Sequence, residues 1–396
     1  MKRTVRYLLA LLLILQLLLC ACGGTTEGSD SASTEQPQSS SQEEPSADAV
    51  LRQQDVQMVF ERENPPAVAG ETIITLLSFD GKQAVLNRQE ALQEGGFSVP
   101  RYWGVYDMEK KQNTELKEFV VGSNGANLLP MGDGVFYLAT CTQETQEEWD
   151  SFQLVRLDSG AGTAETVWKL EGTGMDPMLY RLSETEFLLN CRIYSEEDGL
   201  AQHLLIKGGT DGGQLTTIHD GRYAGLVSVS VLDGKIQLME IKDGQAVLHT
   251  MDADGNQLEE QTLQGGWSAY TGMKKNIGDY YVMTRQSGNS VLLKAEGGGL
   301  KPVTQGTDVQ FAQGLEGLYT TQQARRLYYW TGQSTLCVFD TQTGQTQSLD
   351  ASFAGEPIQQ VMTDVQGNVL IHFGTDLENV RCYLLEKQKL EEILGA

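Results

Sequence analysis

The residues best suited to chemistry fall into a few groups. The first is Cys20 and Cys22, one residue apart in LLLCACGG. Such a pair can be a redox couple, a set of metal ligands or a site of modification. The second is two acidic stretches. TQETQEEWD supplies Glu144, Glu147, Glu148, Trp149 and Asp150, and YSEEDG supplies Glu196, Glu197 and Asp198. Brought together, they would attract a basic protein surface or a divalent cation, with Trp149 as an aromatic anchor. The third is GGWSAY at 265–270, where Trp267 and Tyr270 would suit stacking on a sugar or a peptide ring. Other signals dissolve on inspection. DADGN at 252–256 starts like a calcium loop, but Gly255 stands fourth rather than sixth and Leu263 takes the place of the closing Glu. It reads as a turn. His203, His219, His249 and His372 show no zinc spacing. No G-x-S-x-G elbow is present. GGTDGG and EGGG lack the lysine and the strand-to-helix context of a phosphate loop. No metal or cofactor is therefore expected.

The surroundings of Cys22 decide among its roles. Lys2, Arg3 and Arg6 precede an apolar run from Tyr7 to Leu19, interrupted only by Gln16. That run is too short for a bilayer span, which takes about 20 residues. It has the form of a secretory signal. Its end, Leu19-Cys20-Ala21-Cys22, resembles the lipobox of bacterial lipoproteins. The resemblance implies a signal peptide over 1–21 and Cys22 as the lipidated first residue. Cys20 is the poorer candidate because bulky Leu19 precedes it. Gly23 to Ala49 carries six acidic and no basic residues among Ser, Thr, Gln, Pro, Gly and Ala. It cannot form a core and is expected to be a disordered tether over 22–49. The Gly-Gly after Cys22 and the polar spacer resemble Gram-positive lipoproteins. The implied address is the outer face of the cytoplasmic membrane, at the cell surface.

The 53 acidic and 29 basic residues give a net charge of −24. Loss of Lys2, Arg3 and Arg6 would make the exported form −27. A nucleic-acid partner is disfavoured, since it demands a basic footprint. Four cysteines follow the signal: Cys141, Cys191, Cys337 and Cys382. Each sits in an apolar, strand-like run such as YLATC or TLCVF, where a free thiol behaves as a small hydrophobe. An exported chain can also pair its thiols, and four allow three pairings.

The elements that must position these groups announce themselves as a repeat. Segments 104–122, 152–172, 202–221, 246–265, 290–306, 335–351 and 380–395 each read as an apolar strand, a polar or Gly-containing turn and a second, shorter strand. Val105, Leu154, Leu204, Leu248, Leu292, Cys337 and Cys382 mark them at spacings of 49, 50, 44, 44, 45 and 45 residues. A further strand precedes each hairpin from the second onward, as in VFYLATC from Val135 and RLYYW from Arg326. These strands are apolar on both faces, which suits sheets packed between neighbouring sheets. Room remains for one more strand per unit, such as LVSVSVL at 226–232. Four strands in about 46 residues is the period of a β-propeller blade. The expectation is an all-β chain forming one seven-bladed β-propeller over 50–396, with eight blades as the rival. VQMVF at 56–60 is expected to close the ring beside the last blade.

In architecture this resembles the secreted propeller lipoproteins of the outer-membrane-assembly and WD-repeat-like sort, over most of residues 56–394. The expected function is non-catalytic binding of an unknown protein or carbohydrate ligand by a membrane-anchored monomer. The alternative is a carbohydrate-active hydrolase or lyase that uses carboxylates in the central funnel.

Overall fold

The computed structural model describes residues 48–63, 72–90, 101–120, 126–142, 151–171, 174–194, 200–211, 214–304, 309–374 and 379–395. Two strands come first, β1 (Ala49–Val50) and β2 (Gln57–Glu63). Blade 1 is β3 (Thr72–Phe79), β4 (Gln83–Glu90), β5 (Arg101–Asp107) and β6 (Gln112–Val120). Blade 2 is β7 (Ala126–Gly132), β8 (Val135–Thr142), β9 (Ser151–Asp158) and β10 (Thr163–Glu171). Blade 3 is β11 (Gly174–Arg181), β12 (Glu186–Tyr194), β13 (Ala201–Gly209) and β14 (Thr216–Tyr223). Blade 4 is β15 (Leu226–Leu232), β16 (Lys235–Lys242), β17 (Gln245–Met251) and β18 (Gln257–Leu263). Blade 5 is β19 (Tyr270–Ile277), β20 (Tyr280–Arg285), β21 (Ser290–Glu296) and β22 (Gly299–Pro302). Blade 6 is β23 (Val309–Phe311), β24 (Arg326–Thr331), β25 (Thr335–Asp340) and β26 (Gln345–Asp350). Blade 7 begins with β27 (Ile358–Thr363), β28 (Val369–Phe373) and β29 (Asn379–Leu385), and the chain ends in a helix, α1 (Lys387–Leu394).

Each blade has four antiparallel strands, blade 6 carrying β1 as a parallel fifth, and seven such sheets make the ring. The reason is visible in the side chains. Successive residues of a strand point to opposite faces. Phe136 and Leu138 of β8 enter the core shared with blade 1, while Tyr137 and Ala139 enter the core shared with blade 3. Leu188 of β12 faces blade 4, and Phe187, Leu189 and Cys191 face blade 2. A strand apolar on both sides therefore has two neighbours to satisfy. The seven core clusters sit one at each junction between adjacent blades. Turns follow the same economy. Asp233-Gly234 and Asp243-Gly244 both adopt positive φ, as the two-residue turns that match strand twist require.

Closure is where the expectation needs correcting. The last hairpin, 380–395, has only one strand. Its second limb is α1, and the outer strand of blade 7 is instead β2, antiparallel to β29. EKQKLEEIL lacks β-branched residues apart from Ile393 and is rich in good helix formers. Its apolar positions, Leu390, Ile393 and Leu394, are spaced for one helical face. All three pack against the junction of blades 6 and 7. Upstream, β1 runs parallel to β26, so pairing starts at Ala49, one residue before the expected domain start. Lys389 reaches Asp55 at 3.4 Å and Arg326 reaches Glu391 at 3.7 Å, so both chain ends brace one seam.

Cys191, Cys337 and Cys382 are buried, and Cys337 and Cys382 are free thiols, which fits the hydrophobe reading for those two. Burial pushes the Cys382 thiol well up, so it is no nucleophile at neutral pH.

Leu390 has 0% exposure. We expect Leu390→Ala to lower unfolding free energy by about 2–5 kcal/mol in urea titrations, as buried leucine truncations do. A loss below about 1 kcal/mol would show that α1 does not fasten the seam.

Candidate functional site

A propeller's usual site is the funnel at its axis, lined by the innermost strands. In this chain that space is largely filled from within. The inner strand of blade 6, β23, has three residues. The chain then leaves the sheet and returns as β24 only at Arg326. The intervening segment, 312–325, crosses the axis. Its 3-10 turn at Leu315–Gly317 contacts β7, β11 and β19, the inner strands of blades 2, 3 and 5. Only an element at the centre of the ring can touch all three.

The segment is fastened by its backbone. Gln313 donates to Val361 O at 2.8 Å, and its own carbonyl accepts from Thr363 N at 3.0 Å, both in blade 7. Gly314 lies against Thr363, where a Cβ would stand 2.4 Å from the carbonyl oxygen. Only glycine fits there. Leu315 and Leu318 sink into the core between blades 5 and 6. Asp233 N donates to Tyr319 O at 2.8 Å, and Thr321 N donates to the Asp233 carboxylate at 2.8 Å.

Two buried cations clasp it. Arg181 Nε and Nη2 donate to the carbonyls of Ser183, Met131 and Glu184 at 3.1–3.2 Å, and the guanidinium stands 5.2 Å over the Tyr319 ring. Lys275, 1% exposed, donates through Nζ to Val231 O in blade 4 and to Leu318 O in the plug. Burial drives its pKa down to about 7, against the opposing pull of Glu316 and Asp233. A neutral amine still has two N–H groups for two carbonyls, so the contact survives loss of the charge.

Two spaces remain. One of about 340 Å³ is lined by Ser78, Asn127, Lys274, Gln313, Glu316 and Asp364, among others. Another of about 540 Å³ opens by Asp133, Arg181, Glu184, Tyr319 and Gln323. The carboxylates here bear on catalysis. Asp364 is half of any pair with Glu316, yet both its oxygens are taken. Oδ1 accepts from the backbone N–H groups of Gln366, Gly367 and Asn368 at 2.7–3.0 Å, and Oδ2 from the Asn368 amide at 2.7 Å. Burial raises its pKa and these donors oppose the rise. It is a turn cap. Asn127 Oδ1 is likewise engaged, accepting from Leu179 N at 2.6 Å. Glycoside hydrolysis needs two working carboxylates, and among the described residues this cavity offers Glu316 alone. No group of three or more His, Cys, Asp or Glu among the described residues is placed to hold a metal.

The residues singled out from sequence fare unevenly. Cys22, the acidic set Glu144, Glu147, Glu148, Trp149 and Asp150, and the set Glu196, Glu197 and Asp198 lie outside the described residues. Trp267 is 1% exposed. Its ring packs edge-on to Tyr281 at 5.6 Å and to Tyr270 at 6.3 Å in the core between blades 4 and 5. The stacking-platform reading fails for it, because no indole face is open. Tyr270 is half-buried against the same core. DADGN is the expected turn, with Asp252 Oδ1 accepting from Asp254 N and Asn256 N at 2.9 Å.

Sequence reasoning missed the plug, whose only signal is the 14-residue gap between the strands of blade 6. It also missed that three histidines gather on one tyrosine. His203 is 5.9 Å from the Tyr223 ring, and His219 and His249 are each 6.3 Å from it.

No family model matches the chain, and no curated protein matches it. Solved structures do. It is similar to an acylaminoacyl peptidase bound to Z-Gly-Gly-Phe-chloromethyl ketone, at TM-score 0.52 and 11% identity over 80% of this chain. The chain spans about half of that protein, 51% of its length. It is similar to the β-propeller domain of the Trilobed protease from Pyrococcus furiosus, at TM-score 0.51 and 10% identity, covering 81% of this chain and 95% of that one. It is also similar to oligogalacturonate lyase from Vibrio parahaemolyticus, at TM-score 0.50 and 11% identity, covering 84% and 98%. At these identities the likeness is one of fold.

Lys275 makes the plug's hold measurable. Its folded pKa of about 7 lies below the ordinary 10.5. Above pH 7 the unfolded chain therefore binds more protons at this site than the folded one, so stability should rise with pH. The slope is at most about 1.4 kcal/mol per pH unit. Urea unfolding from about pH 7 to about pH 9 should show the rise in the parent and lose it in Lys275→Met. An equal slope in both would place the titration elsewhere.

Proposed function

We propose that the chain is a non-catalytic, lipid-anchored binding protein of the cell surface, with the propeller as its binding domain. The observation that carries the non-catalytic part is the plug. Residues 312–325 occupy the axis where a propeller enzyme would seat its substrate, and Asp364 is committed to its own turn. The likeness to an oligogalacturonate lyase and to peptidases extends to the ring and favours no activity by itself. The anchored part rests on Leu19-Cys20-Ala21-Cys22 after a charged and then apolar start. A single acyl chain binds a membrane only marginally, and two or more hold firmly. Lipoprotein processing at Cys22 would supply them. No helix among the described residues is long and apolar enough to cross a membrane.

Two measurements test this reading. Mass spectrometry of the mature N-terminus should find Cys22 acylated, and Cys22→Ser should shift the chain from the membrane fraction to the soluble one. A start elsewhere, or a bare Cys22, refutes the anchor. Incubation with oligogalacturonides and with N-acylated peptides should give no turnover above a blank. Turnover that Glu316→Gln abolishes would restore the enzyme reading.

A further inference from the structure

Three of the chain's four histidines meet at one junction of the ring. His203 on β13 and His219 on β14 belong to blade 3, and His249 on β17 belongs to blade 4. Tyr223 of β14 stands among them and packs against the core that these two blades share. Strand register brings them together. His203 pairs with Gly221 and Leu205 with His219, and directly paired residues share a sheet face. Leu205 lies in the core between blades 3 and 4, so His203, His219 and Tyr223 all point toward blade 4. His249 pairs with Leu238 of the same core and points back, meeting the Tyr223 ring edge-on at 6.3 Å. Across Gly221, His219 Nε2 lies 2.9 Å from Tyr223 Oη. A Cβ at 221 would stand 2.4 Å from that nitrogen and 2.7 Å from that oxygen, so the contact needs glycine.

The charges around the cluster suit neutral imidazoles. His203 is 1% exposed, with Nδ1 3.1 Å from Asn190 Oδ1. Its cross-strand partner on β12 is Arg192, a cation. Blade 4 presents Glu240 and Lys242 on β16 and Glu260 on β18, and both carboxylates are engaged. Glu240 accepts from Gly225 N at 3.0 Å, and Glu260 lies 3.4 Å from His249 Nδ1. Asp220 and Arg222 alternate to the other face of β14, where Asp220 accepts from Gln202 at 2.7 Å. Protonating His203 and His219 would thus bury two new charges beside Arg192, which is costly without paired carboxylates. Burial foremost, then Arg192, lowers the His203 pKa to about 4. Burial also lowers that of His219, against the pull of Asp220.

We propose that this cluster is an acid-sensitive catch between blades 3 and 4, closed while its imidazoles are neutral and released when they take up protons. Release parts Tyr223 from His249 and loosens β14, so the ring gives way first at one junction. The catch is a property of the ring and stands whether or not Cys22 is acylated. Its sign follows from linkage. Both folded values lie below the ordinary 6.5. As pH falls through 6.5, the opened junction takes up protons that the closed one refuses, and opening grows easier until the closed form also titrates, near 4 for His203. For His203 alone, the opening equilibrium should grow about thirtyfold from about pH 7.5 to about pH 5.

Hydrogen exchange on the full chain tests this. Protection of the β14 amides, corrected for intrinsic rates, should fall by about that factor between the two pH values. At the lower pH their exchange should be insensitive to dilute urea, as a local opening that exposes little surface is. Amides of β24 and β25 in blade 6 should stay better protected and respond to urea. Gly221→Ala should leave β14 poorly protected at both pH values, because the added methyl parts His219 from Tyr223. Combining His203→Gln with His219→Gln should flatten the pH dependence. If that variant does not fold, NMR titration of the parent's imidazoles decides, and both should titrate below 6.5. The proposal is overturned if β14 and blade 6 show equal protection and equal urea response at the lower pH. It is also overturned if Gly221→Ala leaves β14 as protected as in the parent, if the double variant keeps the full fall, or if either imidazole titrates at 6.5 or above.

Discussion

Everything in this fold depends on the pairing of β2 with β29. Each sheet has its two faces covered by neighbours, so a ring has no free face only if the last sheet meets the first. Blade 7 supplies three strands from the C-terminal end of the chain and takes its fourth from the N-terminal end. Without β2, the edge of β29 would be open, and Val59 and Phe60 would leave the core between blades 7 and 1. Open edges invite pairing with other chains, and buried side chains of this size contribute about 1.5–3 kcal/mol each. The seam is then reinforced twice. β1 lies along β26, and α1 covers the outer side of blades 6 and 7. The Trilobed protease propeller is described by an open velcro topology; here the corresponding edge is paired.

With the ring closed, the axis poses its own problem. Inner strands expose backbone and side chains to a narrow channel. This chain meets that by shortening β23 and folding the released segment inward. The plug brings carbonyls of its own, and these need donors. Lys275 supplies one to Leu318 O, and Arg181 holds its guanidinium over the Tyr319 ring while donating to carbonyls of the wall itself. Burying cations this way is expensive unless every donor is occupied. That expense is consistent with a filling that stays in place and not with a lid that swings aside for substrate.

The ring was legible in the sequence because its grammar is local. A strand, a Gly-containing turn and another strand are set by residues within about ten positions of each other, and their recurrence counted the blades. Residues apolar on both faces, such as those of VFYLATC, already implied sheets stacked on sheets. The last unit was misread because VRCYLL continues into a segment that satisfies a hairpin by polarity alone. Helix propensity and the spacing of Leu390, Ile393 and Leu394 held the contrary signal. The plug was not legible, since nothing local says that 312–325 turns inward. Trp267 was misjudged for a related reason. A tryptophan flanked by glycines and polar residues looks exposed, and only the approach of Tyr281 from a neighbouring strand covers it.

A concavity of about 340 Å³ between blades 3 and 4 was hidden for the same physical reason. Arg192 and Tyr223 sit in one blade and Ile241 and Lys242 in the next, about 50 residues apart in the repeat. A propeller's chemistry is often non-local in this way, because each junction joins the faces of two units that the sequence keeps apart. The same ring can therefore serve a peptidase, a lyase or a binder, and the fold leaves that choice open. What distinguishes this chain is which spaces it fills. It fills the axis and caps the carboxylate there, Asp364 accepting four hydrogen bonds from its own turn.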